Sequence, residues 1–371
     1  MWIHEQPEWP NFCWDTEQLI SHLGDVRHRQ GLLAGKLLSL GFEYKQEAHW
    51  QTRVQDVLKS WEIEGEKLNL EEVRSSVAQK LGIEVEGSPP RNREVDGYVE
   101  MVMDATQGFR TPLTKDRLFG WHSAMFPSGR SGLQSIKIGG WRTPESGKMQ
   151  VVSGAVGKEK IHFEAPCAER LDKEMGAFLE WFERKDGTEP VIRAGIAHLW
   201  FITLHPLEDG NGRIARVIAD MALARAEGFP DRYYSVSSQM EAWRKDYYVQ
   251  LETQQRRNLD ITGWLVWFLK CLKESLVVAE GRLEHVLYKS WIWEQANRHS
   301  VNPRQRQTLS RMLEDGFEGH MNTSKYARMV KCSKDTALRD IKALLSYGIL
   351  ESNPGMGRST SYRLSDRKKH Y

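Results

Sequence analysis

The sequence predicts a mainly α-helical fold: an N-terminal helical region, a central helical bundle that carries a β-hairpin, and a C-terminal winged helix. Three observations predict it. Apolar residues recur at three- and four-residue steps over most of the 371 residues. A Gly- and Ser-rich stretch from Ser128 to about Pro166 breaks that rhythm with two short segments of strand character. From about Asn302 the pattern changes again, to short helices followed by strands.

Taken in order, Thr16 to about Leu40 has apolar Leu19, Ile20, Leu23 and Val26 at helical spacing. A second helical stretch runs from about Lys45 to Ile63 and stops at Gly65, and a third runs from Glu71 to Leu81 and stops at Gly82. The turn cluster Gly87-Ser-Pro-Pro-Arg-Asn92 marks a boundary near residue 90. Helices are expected again at Glu94 to Thr106 and Thr114 to Met125. The strands are Met149-Gln-Val-Val-Ser-Gly154 and Lys160-Ile-His-Phe-Glu164. Helices then follow at Ala168 to Arg184, Pro190 to Leu204, Asn211 to Glu227, Gln239 to Gln255 and Asp260 to Asn297. The domains read as 1–90, 91–298 with a core of about 113–261, and 299–371.

Bulk properties narrow the function. A net charge of +2 gives no global attraction to nucleic acid, so such binding would need a local patch. Cys13, Cys167, Cys271 and Cys332 lie far apart, without a CxxC pair, which argues against a disulfide framework or a zinc site and for a reducing cytoplasm. The N-terminus lacks the basic and apolar regions of a signal peptide. No apolar run approaches the roughly 20 residues that span a bilayer, so no membrane partner is expected.

The chemistry concentrates in one run. Val191 to Leu204 is apolar nearly all round, the pattern of a buried helix. Pro206 pushes His205 out of the helical region, which leaves its imidazole at the edge of the core. Leu207-Glu-Asp-Gly-Asn-Gly212 can wind backbone N–H groups around an anion, and the helix that starts near Asn211 favours phosphate at its N-terminus. Arg213 and Arg216, three apart, offer forks that match phosphate oxygens. With Asp209 as a carboxylate for Mg²⁺ and His205 as a base, the set suggests phosphoryl or nucleotidyl transfer. Each part alone has a bland reading, a helix-end histidine or an ordinary turn; the combination at this spacing does not.

The run His205-Pro-Leu-Glu-Asp-Gly-Asn-Gly-Arg-Ile-Ala-Arg216 resembles the signature of the Fic family, His-Pro-Phe-x-Asp/Glu-Gly-Asn-Gly-Arg-x-x-Arg, and departs from it only at Leu207. The resemblance extends over roughly Leu113 to Ile261 and implies a Fic-type helical bundle. It implies that His205 deprotonates a target hydroxyl, that Asp209 holds Mg²⁺, and that Gly210, Asn211 and Gly212 form the anion hole. Arg213 and Arg216 would hold the β- and γ-phosphates of ATP, the co-substrate. Kinase-like relatives carry lysine in place of the second glycine; Gly212 is intact, which favours transfer of AMP to a target protein and to the chain itself.

The resemblance places three further features. The hairpin implies a flap that covers the site and pairs with a target's main chain, with Val151, Val152, Ser153 and Gly154 as the docking edge. Ser60-Trp-Glu-Ile-Glu-Gly65 fits the family's inhibitory pattern, so Glu64, with Ser60 upstream, would reach Arg216 and hold the place of the γ-phosphate. Thr323 to Ser333 and Lys334 to Leu345 read as helix, turn, helix, and Ile349-Leu-Glu351 and Ser361-Tyr-Arg-Leu364 as the strands of a wing. Lys334, Arg339 and Lys342 would line a recognition helix and Arg358 a wing tip, so DNA is a candidate partner; protein contact or a homodimer is the alternative use of such a module. The competing functions are AMP removal, another Fic-type nucleotidyl or phosphoryl transfer, and a nucleotide-sensing DNA-binding regulator. Trp141 is expected near the flap, and His198 as a core histidine.

Overall fold

A computed structural model describes residues 1–38, 40–83, 91–154, 158–313, 317, 319–353 and 360–366. The expected boundary turn at 87–90 and the wing-tip residue Arg358 lie outside the described residues. The fold is mainly helical, and the chain divides into two compact units, residues 1–280 and 281–371.

The first unit opens with α1 (Thr16–Leu38), α2 (Phe42–Ile63), α3 (Leu70–Lys80), α4 (Arg93–Gln107) and α5 (Lys115–Met125). Polar side chains start the later ones: Asn69, Asn92 and Thr114 each accept hydrogen bonds from first-turn N–H groups that would otherwise lack a partner. Two very short strands, β1 (Arg130–Ser131) and β2 (Gln134–Ser135), precede the hairpin of β3 (Gln150–Ser153) and β4 (Lys160–Glu164). Then come α6 (Leu171–Glu183), α7 (Pro190–Leu204), α8 (Asn211–Glu227), α9 (Val236–Ala242), α10 (Arg244–Gln255) and α11 (Thr262–Arg298), within which the division between the units falls.

The centre of this unit is α7, buried on all faces as its apolar composition predicts. Glu189 caps it and Pro190 fills its first turn, where a missing N–H costs nothing. Its main neighbour is α8. Trp264 Nε1 on α11 donates to the carbonyl of Gly195 at 2.8 Å, and a Cβ on Gly195 would meet Leu265 and Phe268 at 3.0 Å. Another close approach joins α4 to α5: a Cβ on Gly97 would lie 1.8 Å from the Ala124 carbonyl oxygen.

One expected helix is corrected. Gln239–Gln255 is not continuous; Ser235 caps α9 by accepting from Ser238 N–H, so that helix starts earlier, and it ends at Trp243 (φ −105°, ψ 28°) before α10 begins. Tryptophan carries no breaking signal, so the apolar rhythm passes through the break.

The hairpin pairs Gln150 with Glu164, Val151 with Phe163, Val152 with Ile161 and Ser153 with Lys160, with an irregularity between Val151 and Val152. His162 is the residue left over, a β-bulge on β4. The ring of Trp2 packs edge-on against Phe163, and Arg256 donates to the Ile161 carbonyl at 2.8 Å.

In the second unit, α12 (Pro303–Leu313), α13 (Thr323–Met329) and α14 (Lys334–Ser346) pack around Leu309, Tyr326, Ile341 and Leu344. Antiparallel β5 (Leu350–Ser352) and β6 (Tyr362–Leu364) follow. Lys334, Arg339 and Lys342 are exposed on α14. Among the described residues no helix is long and apolar enough to cross a membrane.

Candidate active site

His205 closes α7 in the left-handed conformation (φ 46°, ψ 55°), where a side chain other than glycine costs about 1–2 kcal/mol. The proline rule anticipates its exit from the right-handed helix, not this outcome. Surrounding bonds hold it there. Its N–H donates to the Phe201 carbonyl at 3.1 Å, and its own carbonyl accepts from Arg142 Nε at 2.8 Å. Nδ1 lies 3.1 Å from the Ile202 carbonyl oxygen. A carbonyl only accepts, so Nδ1 carries the ring proton and Nε2 keeps its lone pair. Burial lowers the imidazole pKa below its ordinary value, with a further push from Arg142, against the Ile202 carbonyl, Glu64 and Asp209. The ring is therefore neutral at neutral pH, the state a base requires.

The loop after it is clamped by one side chain. Asn211 accepts from the Leu207 N–H at 3.0 Å and donates to the Leu207 carbonyl at 2.9 Å, while Leu207 itself is buried. Two glycines leave room that a side chain would fill. A Cβ on Gly210 (φ 80°) would lie 2.2 Å from Met125 Cε, and one on Gly212 would lie 2.3 Å from Glu64 Oε1. Asp209 accepts from the Ser131 hydroxyl and sits 3.6 Å from Arg213 Nη2. The Arg213 guanidinium stacks over Trp61 at 4.4 Å and over Phe126 at 5.2 Å.

Arg216 does not point freely into the site. Its Nη2 donates to Glu64 Oε1 at 2.7 Å and to the Ser60 carbonyl at 2.8 Å, and its Nε donates to Ser60 Oγ at 2.9 Å. Burial pulls the guanidinium pKa down, but the Glu64 carboxylate together with Tyr247 and Tyr98 outweighs it and raises the value. Glu64 is the C-cap of α2, so this helix ends directly against the start of α8. Three residues that sequence reasoning missed complete the arrangement. Tyr98 donates to Ser60 Oγ at 2.6 Å, while Arg244 Nε and the Tyr248 hydroxyl donate to the Ile63 carbonyl at 2.6 and 3.0 Å. Their partners lie far off in sequence, and no local pattern marks them.

A cavity of about 680 Å³ is lined by Glu64, His205 and the loop Asp209–Gly212 together with Val151, Val152 and Ser153 of the hairpin; Arg213 and Arg216, both buried, are not among its lining residues. Gly154 follows at φ 108°. Trp141 is buried, with its ring 4.5 Å from that of Phe119. His198 is a core residue, with Nε2 2.9 Å from the Tyr247 hydroxyl and its ring stacked on Trp264. Among the described residues no group of three His, Cys, Asp or Glu side chains could cage a metal ion.

Residues 112–223, which hold the hairpin, His205 and the loop Asp209–Gly212, match the family model described as Fic/DOC family. The chain carries a Fic/DOC family domain. Residues 2–83, upstream of the Fic domain, match a model described as a domain of unknown function, DUF4172. A protein adenylyltransferase Fic of Nematostella vectensis is 33% identical over 113 residues, which are 30% of this chain and 25% of that protein. A uridine 5'-monophosphate transferase of Xanthomonas campestris is 29% identical over 129 residues, 32% of this chain and 22% of the relative. The match thus spans about a quarter of the length of these curated relatives. The crystal structure of a Fic family protein from Desulfovibrio desulfuricans superposes with a TM-score of 0.53 at 19% identity, over 94% of this chain and 96% of the other. A Fic-domain signalling protein from Bacteroides thetaiotaomicron gives 0.53 at 20% identity, over 70% and 97%. At these identities the likeness is one of fold.

Proposed function

We propose that the Fic domain transfers AMP from ATP to a hydroxyl side chain of a target protein, and that Glu64 restrains it. The observation that carries this reading is the His205 ring: Nδ1 is tied to the Ile202 carbonyl, Nε2 is unprotonated, and the ring lines one cavity with the glycine loop at the start of α8. Nε2 takes the proton of the incoming hydroxyl, whose oxygen attacks the α-phosphorus while pyrophosphate leaves. Backbone N–H groups at the α8 N-terminus and the forks of Arg213 and Arg216 offset charge on the phosphates. Mg²⁺ fits the donor set: Asp209 offers one half-exposed carboxylate, and this ion takes one or two carboxylates with phosphate oxygens and water. When bound, it would neutralise phosphate charge.

Glu64 supports the restraint, because its carboxylate occupies the Arg216 fork that a γ-phosphate would use. The exposed β3 edge suits main-chain pairing with the target. The nucleotide is tested with the four ribonucleoside triphosphates, each labelled at the α-phosphate. ATP is expected to label protein, and labelling by UTP in its place would overturn the assignment of AMP. Removal of AMP is a second reading, favoured by Glu64 lining the cavity with His205, where a carboxylate can orient water. Release of AMP from a modified target by the wild type but not by Glu64→Gly would establish it.

A further inference from the structure

A second hydrogen-bonded chain enters the same cavity from the hairpin. Ser153 Oγ lies 2.6 Å from His162 Nε2, and His162 Nδ1 lies 2.6 Å from Glu252 Oε2. An ionised carboxylate only accepts, so Nδ1 carries a ring proton, and in the neutral ring Nε2 accepts from the Ser153 hydroxyl. Burial pushes the Glu252 carboxyl up, but His162, Lys160 and Arg256 outweigh it and keep it below its ordinary range. The result is a hydroxyl with its own base, and a base with its own orienting acid.

The hairpin builds this chain by an irregularity. His162 is the bulged residue of β4, and bulges near active sites re-aim a side chain. Lys160 and Arg256 both approach Glu252 Oε1, at 3.6 and 3.3 Å, and leave Oε2 to the imidazole. Ser153, His162 and Glu252 line the cavity that also holds His205 and Gly212.

We propose that Ser153 is a self-modification site of this enzyme, an intramolecular acceptor for AMP with His162 as its base. The proposal rests on the reading of AMP transfer from ATP. Ser153 Oγ attacks the α-phosphorus and forms the new O–P bond. The bond to the β-phosphate oxygen breaks, pyrophosphate leaves with the electron pair, and the Ser153 proton passes to His162 Nε2. The transfer is self-limiting, because Ser153 belongs to the strand whose edge suits the target's main chain, and a nucleotide there blocks it.

The test uses the full chain with Glu64→Gly, ATP and Mg²⁺, followed by mass spectrometry of its peptides, and in parallel labels a cell lysate with the same protein. One AMP is expected on the peptide that holds Ser153, lost in Ser153→Ala and kept in Ser153→Thr. His162→Asn is expected to slow it about 100-fold. Glu252→Gln is expected to shift the acid limb of the self-modification rate to lower pH, which a merely structural contact would not do. AMP only on other residues, or in lysate proteins but not on this chain, overturns the proposal and leaves AMP transfer standing. No label anywhere overturns both, and modification of His162→Asn at the unchanged rate removes the assigned base.

Discussion

Glu64→Gly removes the carboxylate that pairs with Arg216, and the consequence can be sized. The two atoms are 2.7 Å apart, and the side chains are 29% and 2% exposed. A hydrogen bond between charged groups contributes about 1.5–3 kcal/mol. A γ-phosphate that reaches Arg216 must first displace this carboxylate, so its removal corresponds to roughly 10- to 150-fold in productive ATP use. Glu64 is partly exposed, which favours the lower end, about 10- to 30-fold. Ser60 still accepts from Arg216 through its hydroxyl and its carbonyl, at 2.9 and 2.8 Å, so the guanidinium stays in place and the fold holds. Glu64→Gln keeps the length and an acceptor oxygen but loses the charge, and an intermediate gain is expected. Initial rates of label incorporation from α-labelled ATP, over a range of ATP concentrations, measure the effect. Rates equal to those of the wild type, in a folded Glu64→Gly protein that binds ATP, would refute the reasoning.

Three further outcomes are expected. Burial lowers His49, His122 and His198 to about 3, 4 and 3, from 6.5, so between these values the unfolded chain binds more protons. Their contribution is complete above pH 6.5 and is lost as pH falls, by about 2 kcal/mol each near pH 5. Asp56, raised to about 6 by burial and by Asp220, acts in the opposite direction and offsets about 1 kcal/mol of that loss. The Tm should therefore fall between pH 7.5 and about pH 5, and a constant or rising Tm would contradict the burial of these rings. Gly97→Ala places a Cβ 1.8 Å from a backbone oxygen of α5 and should cost about 3 kcal/mol or more, read from denaturant midpoints; an unchanged midpoint would mean that α4 and α5 are not so closely packed. If Lys334, Arg339 and Lys342 contact DNA, the full chain should bind a duplex at low salt and lose affinity steeply as salt rises; no binding at low salt would remove DNA as a partner.

The helices were readable where their periodicity is strong and their ends carry caps, as at Asn69, Asn92 and Thr114. The glycine loop and its flanking histidine and arginines were readable because the chemistry is contiguous in sequence. Glu64 was legible only as a short pattern, and its contact with Arg216, 152 residues away, is a fact of packing. Tyr98, Arg244 and Tyr248 were not legible at all, since each acts on the end of α2 from another helix. Ser153 was expected only as part of the docking edge, and its link through His162 to Glu252 was not legible, because a one-residue bulge and a distant helix make the chain of bonds. The left-handed His205 also escaped notice, because a following proline excludes the right-handed helix without choosing what replaces it.

The central claim is transfer of the α-phosphoryl group with its nucleoside, driven by His205. It is tested most directly by parallel incubation of Glu64→Gly, Ser153→Ala protein and a cell lysate with ATP labelled at the α- or at the γ-phosphate, each repeated with His205→Ala added, so that self-modification through His162 does not contribute. The account predicts protein-bound label from the α-position alone, and none once His205 is replaced. Label from the γ-position, or α-label that survives His205→Ala, would contradict it.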